Sequence, residues 1–231
     1  RGGPWPAPGA LPGRRGGWPG HAIGGAPGAY GSHTIRMEPS GSRVRVVHAS
    51  PDLSAVDICA GELELGMELV YRTHGAYRSV APGQQVITVY AAGDRSRPLL
   101  SQTLNVQPAQ SYTVAAGNHA AELRLYAYID DPAPSAGLAR VKFIHLASGL
   151  PEADIRTGGG TELFRRVPYG MSTAYTVLPA GAADVRLFDG RSGAGLLPPG
   201  ESELAPDSVT TFLVVQGGDD APAEALLLSD L

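Results

Sequence analysis

Two stretches of the chain carry one pattern of apolar and polar positions. Val44-Arg-Val-Val-His-Ala-Ser-Pro-Asp52 runs on to Val56-Asp-Ile58, and Val141-Lys-Phe-Ile-His-Leu-Ala-Ser-Gly149 runs on to Ala153-Asp-Ile155. In the first, Val44, Val46 and His48 alternate with Arg45 and Val47, the period-two signature of a strand. Val56 and Ile58 follow the Ser-Pro-Asp turn. Pro82-Gly83 marks another turn, and Gln84 to Ala91, Leu100 to Val106, Ser111 to Ala116 and Glu122 to Ile129 read as further strands. Short strands about ten residues apart, punctuated by Gly and Pro, predict a sandwich or barrel. No window of useful length has helical periodicity.

The pattern recurs. His48 and His145, Asp57 and Asp154, and Ile58 and Ile155 are each 97 positions apart. Tyr77 to Gly83 matches Tyr175 to Gly181, Val86 to Tyr90 matches Asp184 to Phe188, and Ser111 to Ala115 matches Thr211 to Val215. A weaker match joins Glu122 to Leu125 with Glu224 to Leu227. Recurrence across a whole half signals an internal repeat. The expected architecture is all-β, with two tandem immunoglobulin-like β-sandwiches at residues 42–131 and 139–231. The Pro-rich stretch 132–138 joins them, since proline lacks the donor a central strand needs.

Residues 1–41 differ. Twelve are Gly and seven Pro, and they carry a charge of +3 inside a chain whose total is -4. Such a stretch forms no core of its own. It holds both tryptophans, Trp5 and Trp18, and an alternating segment with His33, Ile35 and Met37 on one side. An extended arm of this kind suits strand addition to a sheet edge in its own or another subunit. These five residues are therefore the expected contacts for self-assembly into a filament or surface layer.

The sequence from Val44, with its Ala-Val-Asp-Ile, Ala-Pro-Gly turn and Ser-Tyr-Thr-Val, resembles the domain-of-unknown-function 4397 family. The resemblance spans residues 43–231 as a tandem pair. It implies an exported bacterial β-sandwich of the cell surface and no established reaction. A start at Arg1 rather than Met is compatible with an export signal already removed.

The candidate chemistry is thin. His48, Ser50, Asp52 and Asp57 lie close together, but a Ser-His-Asp site also needs an activated serine and an oxyanion hole. Ser50 and Asp52 are absent from the second copy, whereas the histidine and the later aspartate persist. His48, Asp57, His145 and Asp154 are accordingly expected to satisfy backbone groups at the sandwich corners. The six histidines show no zinc spacing, Gly217-Gly-Asp-Asp220 and Asp130-Asp131 are poor calcium loops, and Gly158-Gly-Gly160 lacks the partners of a phosphate loop. No cofactor, metal, catalytic residue, nucleic-acid partner or membrane span is expected. Lone Cys59 reads as a small buried apolar residue. One lysine, Lys142, against seventeen arginines reads as coding bias. The expected function is a secreted, non-enzymatic structural or adhesive protein. The alternative is an extracellular module binding glycan or cell-wall polymer, with tyrosines as its platform.

Overall fold

Val46-Val47, Phe143-Ile144 and Phe212-Leu-Val-Val215 interrupt simple alternation, as strands buried on both faces do. A computed structural model describes residues 41–196, 202–217 and 222–231, all belonging to one compact unit. The five arm residues Trp5, Trp18, His33, Ile35 and Met37 lie outside the described residues.

The first half contains β1 (Ser42–His48), β2 (Val56–Ala60), β3 (Leu63–Leu69), β4 (Arg78–Val80), β5 (Gly83–Ala91), β6 (Asp94–Val106), β7 (Ser111–Gly117) and β8 (Arg124–Asp130). They form two sheets in the orders β4-β1-β7-β8 and β3-β2-β5-β6. Val44, Val46, Tyr112 and Val114 from one sheet pack on Val56, Ile58, Ile87 and Val89 from the other. The second half contains β9 (Leu138–Leu146), β10 (Glu152–Thr157), β11 (Glu162–Pro168), β12 (Thr176–Pro179), β13 (Gly181–Ala183), β14 (Val185–Asp189), β15 (Ser202–Leu204), β16 (Val209–Gln216) and β17 (Ala223–Ser229). The order β12-β9-β16-β17 repeats the first sheet, including a central parallel pair, β1 with β7 and β9 with β16. Opposite it, β11-β10-β14 and β13-β15 divide what is one sheet in the first half, with the break at Asp184.

The chain is thus an all-β sandwich protein, as its strand spacing predicts. Consecutive β1 and β2 lie in opposite sheets, a grouping that differs from the ABED and CFG sheets of an immunoglobulin constant domain. A single 3-10 turn, Ala120–Glu122, is the only helical element among the described residues. The Pro-Gly and Ala-Gly turns hold Gly83 at φ 106° and Gly181 at φ 111°, values that favour glycine.

The pairing corrects one register. Arg45 lies beside Thr113 and Lys142 beside Thr211, so Thr113, not Ser111, corresponds to Thr211. A slip of two residues keeps every side chain on its own face, which is why the sequence pattern accommodates both alignments.

The outward faces of β1, β7, β9 and β16 meet between the halves. Val47, Ala115 and Tyr128 pack there with Ile144, Leu213 and Leu228. Beside this apolar patch lies a crossed charge network. Arg45 of the first half pairs with Asp230 of the second, and the Nζ of Lys142 in the second half lies 2.5 Å from Asp130 of the first. Thr113 and Tyr77 donate to Asp130 at 2.7 Å each, and Tyr175 donates to Asp230 at 2.6 Å. Burial holds both tyrosine hydroxyls well above their usual range, so they remain donors. Lys142 is 1% exposed, and its position corresponds to that of Arg45. The single lysine is therefore a structural cation.

Candidate functional site

His48 ends β1 and His145 nears the end of β9, each opening a loop to the next strand. The Ser50 amide donates to His48 Nδ1 at 3.3 Å, and His48 Nε2 meets the Ser54 carbonyl at 3.0 Å. In the second half the Ala147 amide donates to His145 Nδ1 at 3.4 Å, and Nε2 meets the Leu150 carbonyl at 2.9 Å. A carbonyl only accepts, so Nε2 carries the proton and each ring is a neutral clamp on its loop. No ring nitrogen of His48 is left to activate Ser50, whose buried hydroxyl has no partner among the described residues. Alanine replaces that serine in the second copy without disturbing the clamp. The Ser-His-Asp arrangement weighed from sequence is not assembled here.

Burial lowers the pKa of both histidines from 6.5. The unfolded chain therefore binds more protons than the folded one once the pH drops through about 6.5, and stability falls with it. Urea unfolding is expected to show a lower midpoint at about pH 5 than at about pH 7.5. Replacing both histidines by glutamine is expected to reduce that difference. An unchanged difference in the double variant would remove the histidines as its cause.

Asp57 accepts the Glu68 amide at 2.8 Å and the Gly93 amide at 3.0 Å. Asp154 accepts the Arg166 amide at 2.7 Å. Glu68 and Arg166 both sit at φ 50°, at the irregular register where β3 meets β2 and β11 meets β10. Each aspartate thus anchors a β-bulge, a backbone conformation that non-glycine residues seldom adopt unsupported. In both halves the histidine and the aspartate thus bind backbone groups of an adjoining loop or bulge.

A cleft of about 380 Å³ opens where the halves meet. Asn118, His119 and Glu122, on the β7–β8 connection, form one side. Ser148, Gly149, Leu150 and Pro151, on the loop clamped by His145, form the other, with Tyr169 between. The Tyr169 hydroxyl accepts the Asn118 amide at 3.0 Å, its ring meets His145 edge-on at 5.8 Å, and burial pushes its pKa up to about 12. Asp52 accepts the Ala120 amide at 2.8 Å, which chiefly holds its carboxyl below the usual range, and its other oxygen lies 3.3 Å from His119 Nδ1. Asp52 therefore orients an exposed imidazole at the mouth of the cleft.

Of the eight lining residues, only Tyr169 stood out in the sequence, and only as one tyrosine among several. Glu122 reads from sequence as the start of a strand but ends the 3-10 turn instead, and the others come from loops without periodicity, brought together by packing between halves that no local pattern records. Among the described residues no three His, Cys, Asp or Glu are grouped to hold a metal, and no helix is long and apolar enough to cross a membrane. Cys59 is buried.

Fold and cleft together define a β-sandwich module with a concave, part-aromatic surface between its halves. Residues 42–156 match the family model described as Domain of unknown function (DUF4397), and this part of the chain belongs to that family. The match covers the first half and ends within β10. No curated protein matches the chain. Among solved structures, CBMbc (family CBM26) from Eubacterium rectale Amy13K, crystallised in complex with maltoheptaose, is similar at 11% identity and a TM-score of 0.27. That alignment covers 80% of this chain and 96% of the other, and its score is too low to transfer fold or ligand.

Proposed function

We propose that the chain is a non-catalytic binding module of the cell exterior, taking glycan or cell-wall polymer in the cleft between Asn118–Glu122 and Ser148–Pro151. The observation that carries this reading is the make-up of the cleft. Tyr169, Leu150 and Pro151 offer apolar surface for a sugar ring, while His119 and Glu122 offer polar groups beside it. The clamp on His145 and the bond from Asn118 to Tyr169 preorganise both walls, which lowers the ordering cost of binding. A chain lacking residues 1–41 is expected to bind soluble polysaccharides saturably in calorimetric titration, and His119→Ala is expected to weaken that binding about tenfold. A flat response across neutral and charged polysaccharides would overturn the reading.

A further inference from the structure

The polar groups of the cleft are unevenly spent. Asn118 Nδ2 donates to the Glu122 carbonyl and its Oδ1 accepts from Tyr126, at 3.0 and 2.8 Å. The Ser148 hydroxyl donates to Gln216 Oε1. His119 Nδ1 lies 3.3 Å from Asp52, and in the neutral ring with its proton on Nδ1 the other nitrogen, Nε2, is an acceptor. Glu122 forms no ion pair among the described residues. Among the described residues no Lys or Arg lines the cleft; Glu122 is the carboxylate in its lining, and Asp52 stands against His119 at its mouth. What remains for a ligand is chiefly a carboxylate and an imidazole acceptor, beside apolar Leu150 and Pro151.

We propose that this cleft selects a neutral, hydroxyl-donating glycan and rejects anionic polymers, with the Glu122 carboxylate accepting ligand hydroxyls and His119 Nε2 accepting another. A neutral sugar supplies vicinal O–H donors together with a C–H face for the apolar side. The charged group of a uronate, sulfate or phosphate has no proton to donate to these acceptors, and it meets the like charges of Glu122 and Asp52. The inference rests on the binding reading above and adds the class of ligand and the residues that choose it.

The test uses the full chain and three probes: a neutral glucan, polygalacturonate and a phosphate-bearing cell-wall polymer. Calorimetry should give saturable binding to the neutral glucan and none to the two anions. Glu122→Gln should lower neutral-glucan affinity about tenfold. Glu122→Lys should abolish neutral-glucan binding and confer measurable affinity for polygalacturonate. Glu122 is exposed, and circular dichroism of each variant checks that the fold persists. Binding of the anionic polymers alone would overturn the selectivity and leave the module reading standing. Neutral-glucan binding untouched by either substitution would overturn the site. Silence with all three probes would overturn this inference and count against the reading beneath it.

Discussion

Asp230→Ala is expected to destabilise the fold by about 3–5 kcal/mol, the cost of breaking a buried ion pair, since the remaining carboxylate near Arg45, Asp130 at 4.0 Å, already pairs with Lys142. Asp230 and Arg45 are 0% and 2% exposed, so water cannot replace the missing carboxylate. The substitution also orphans the hydroxyls of Tyr175 and Thr211, which both donate to Asp230. By comparison, Tyr175→Phe removes the bond to Asp230 and the one accepted from the Asp131 amide and is expected to cost about 1–2 kcal/mol. The double variant Arg45→Met/Asp230→Leu is expected to recover the ion-pair part of the loss, because two matched apolar groups need no partner in a dry interior, while the Tyr175 and Thr211 hydroxyls stay without Asp230. Equilibrium unfolding in urea of wild type, Arg45→Met, Asp230→Leu and their double closes the cycle, with Asp230→Ala measured beside it. A loss below about 1 kcal/mol for Asp230→Ala would mean that water reaches the pair after all.

How much of this was written in the sequence depends on the range of the interaction. Strand identity is local, so Val44 to His48, Ser111 to Ala116 and their later counterparts were legible from alternation and turns. The corner roles of His48, Asp57, His145 and Asp154 followed from comparing copies: a group kept while its neighbours change is tied to backbone geometry. The meeting of the halves was far less legible. Arg45 reads as the solvent side of an alternating strand, yet it is buried against another sheet 184 and 185 residues away. Two clues pointed there. Apolar runs without alternation mean two covered faces, and the only lysine falls at the counterpart of Arg45. Neither names a partner, since Asp130 and Asp230 sit at strand ends where an acidic residue looks like a solvated turn. The cleft was harder still, because seven of its eight lining residues belong to loops. The family model stops at residue 156, but the same strand order and parallel pair recur beyond it. We propose that residues 139–231 are a diverged copy of residues 42–131.

Separating those halves is expected to have an even larger effect: neither residues 42–131 nor residues 139–231 alone should remain a stable monomer. Each would expose one apolar sheet face, bearing Val47, Ala115 and Tyr128 in the first or Ile144, Leu213 and Leu228 in the second. Each would also lose its cation's nearest carboxylate to the other fragment, Asp230 for Arg45 and Asp130 for Lys142, with Arg45 keeping only Asp130 at 4.0 Å. An apolar face of this kind drives association. The crossed arrangement sets its form. Arg45 and Lys142 occupy corresponding positions, as do Asp130 and Asp230, so residues 42–131 are complementary to a second copy of themselves. Arg45 of each copy would meet Asp130 of the other, as in an isologous dimer. Light scattering is therefore expected to show fragment 42–131 as a dimer. Mixing the two fragments should give a one-to-one complex that restores a single cooperative melt, because it alone recovers both native ion pairs and the native apolar seam. A monomeric 42–131 with its own cooperative transition would show that the seam joins two self-sufficient domains, and the crossed pairs would then orient the halves without completing either fold.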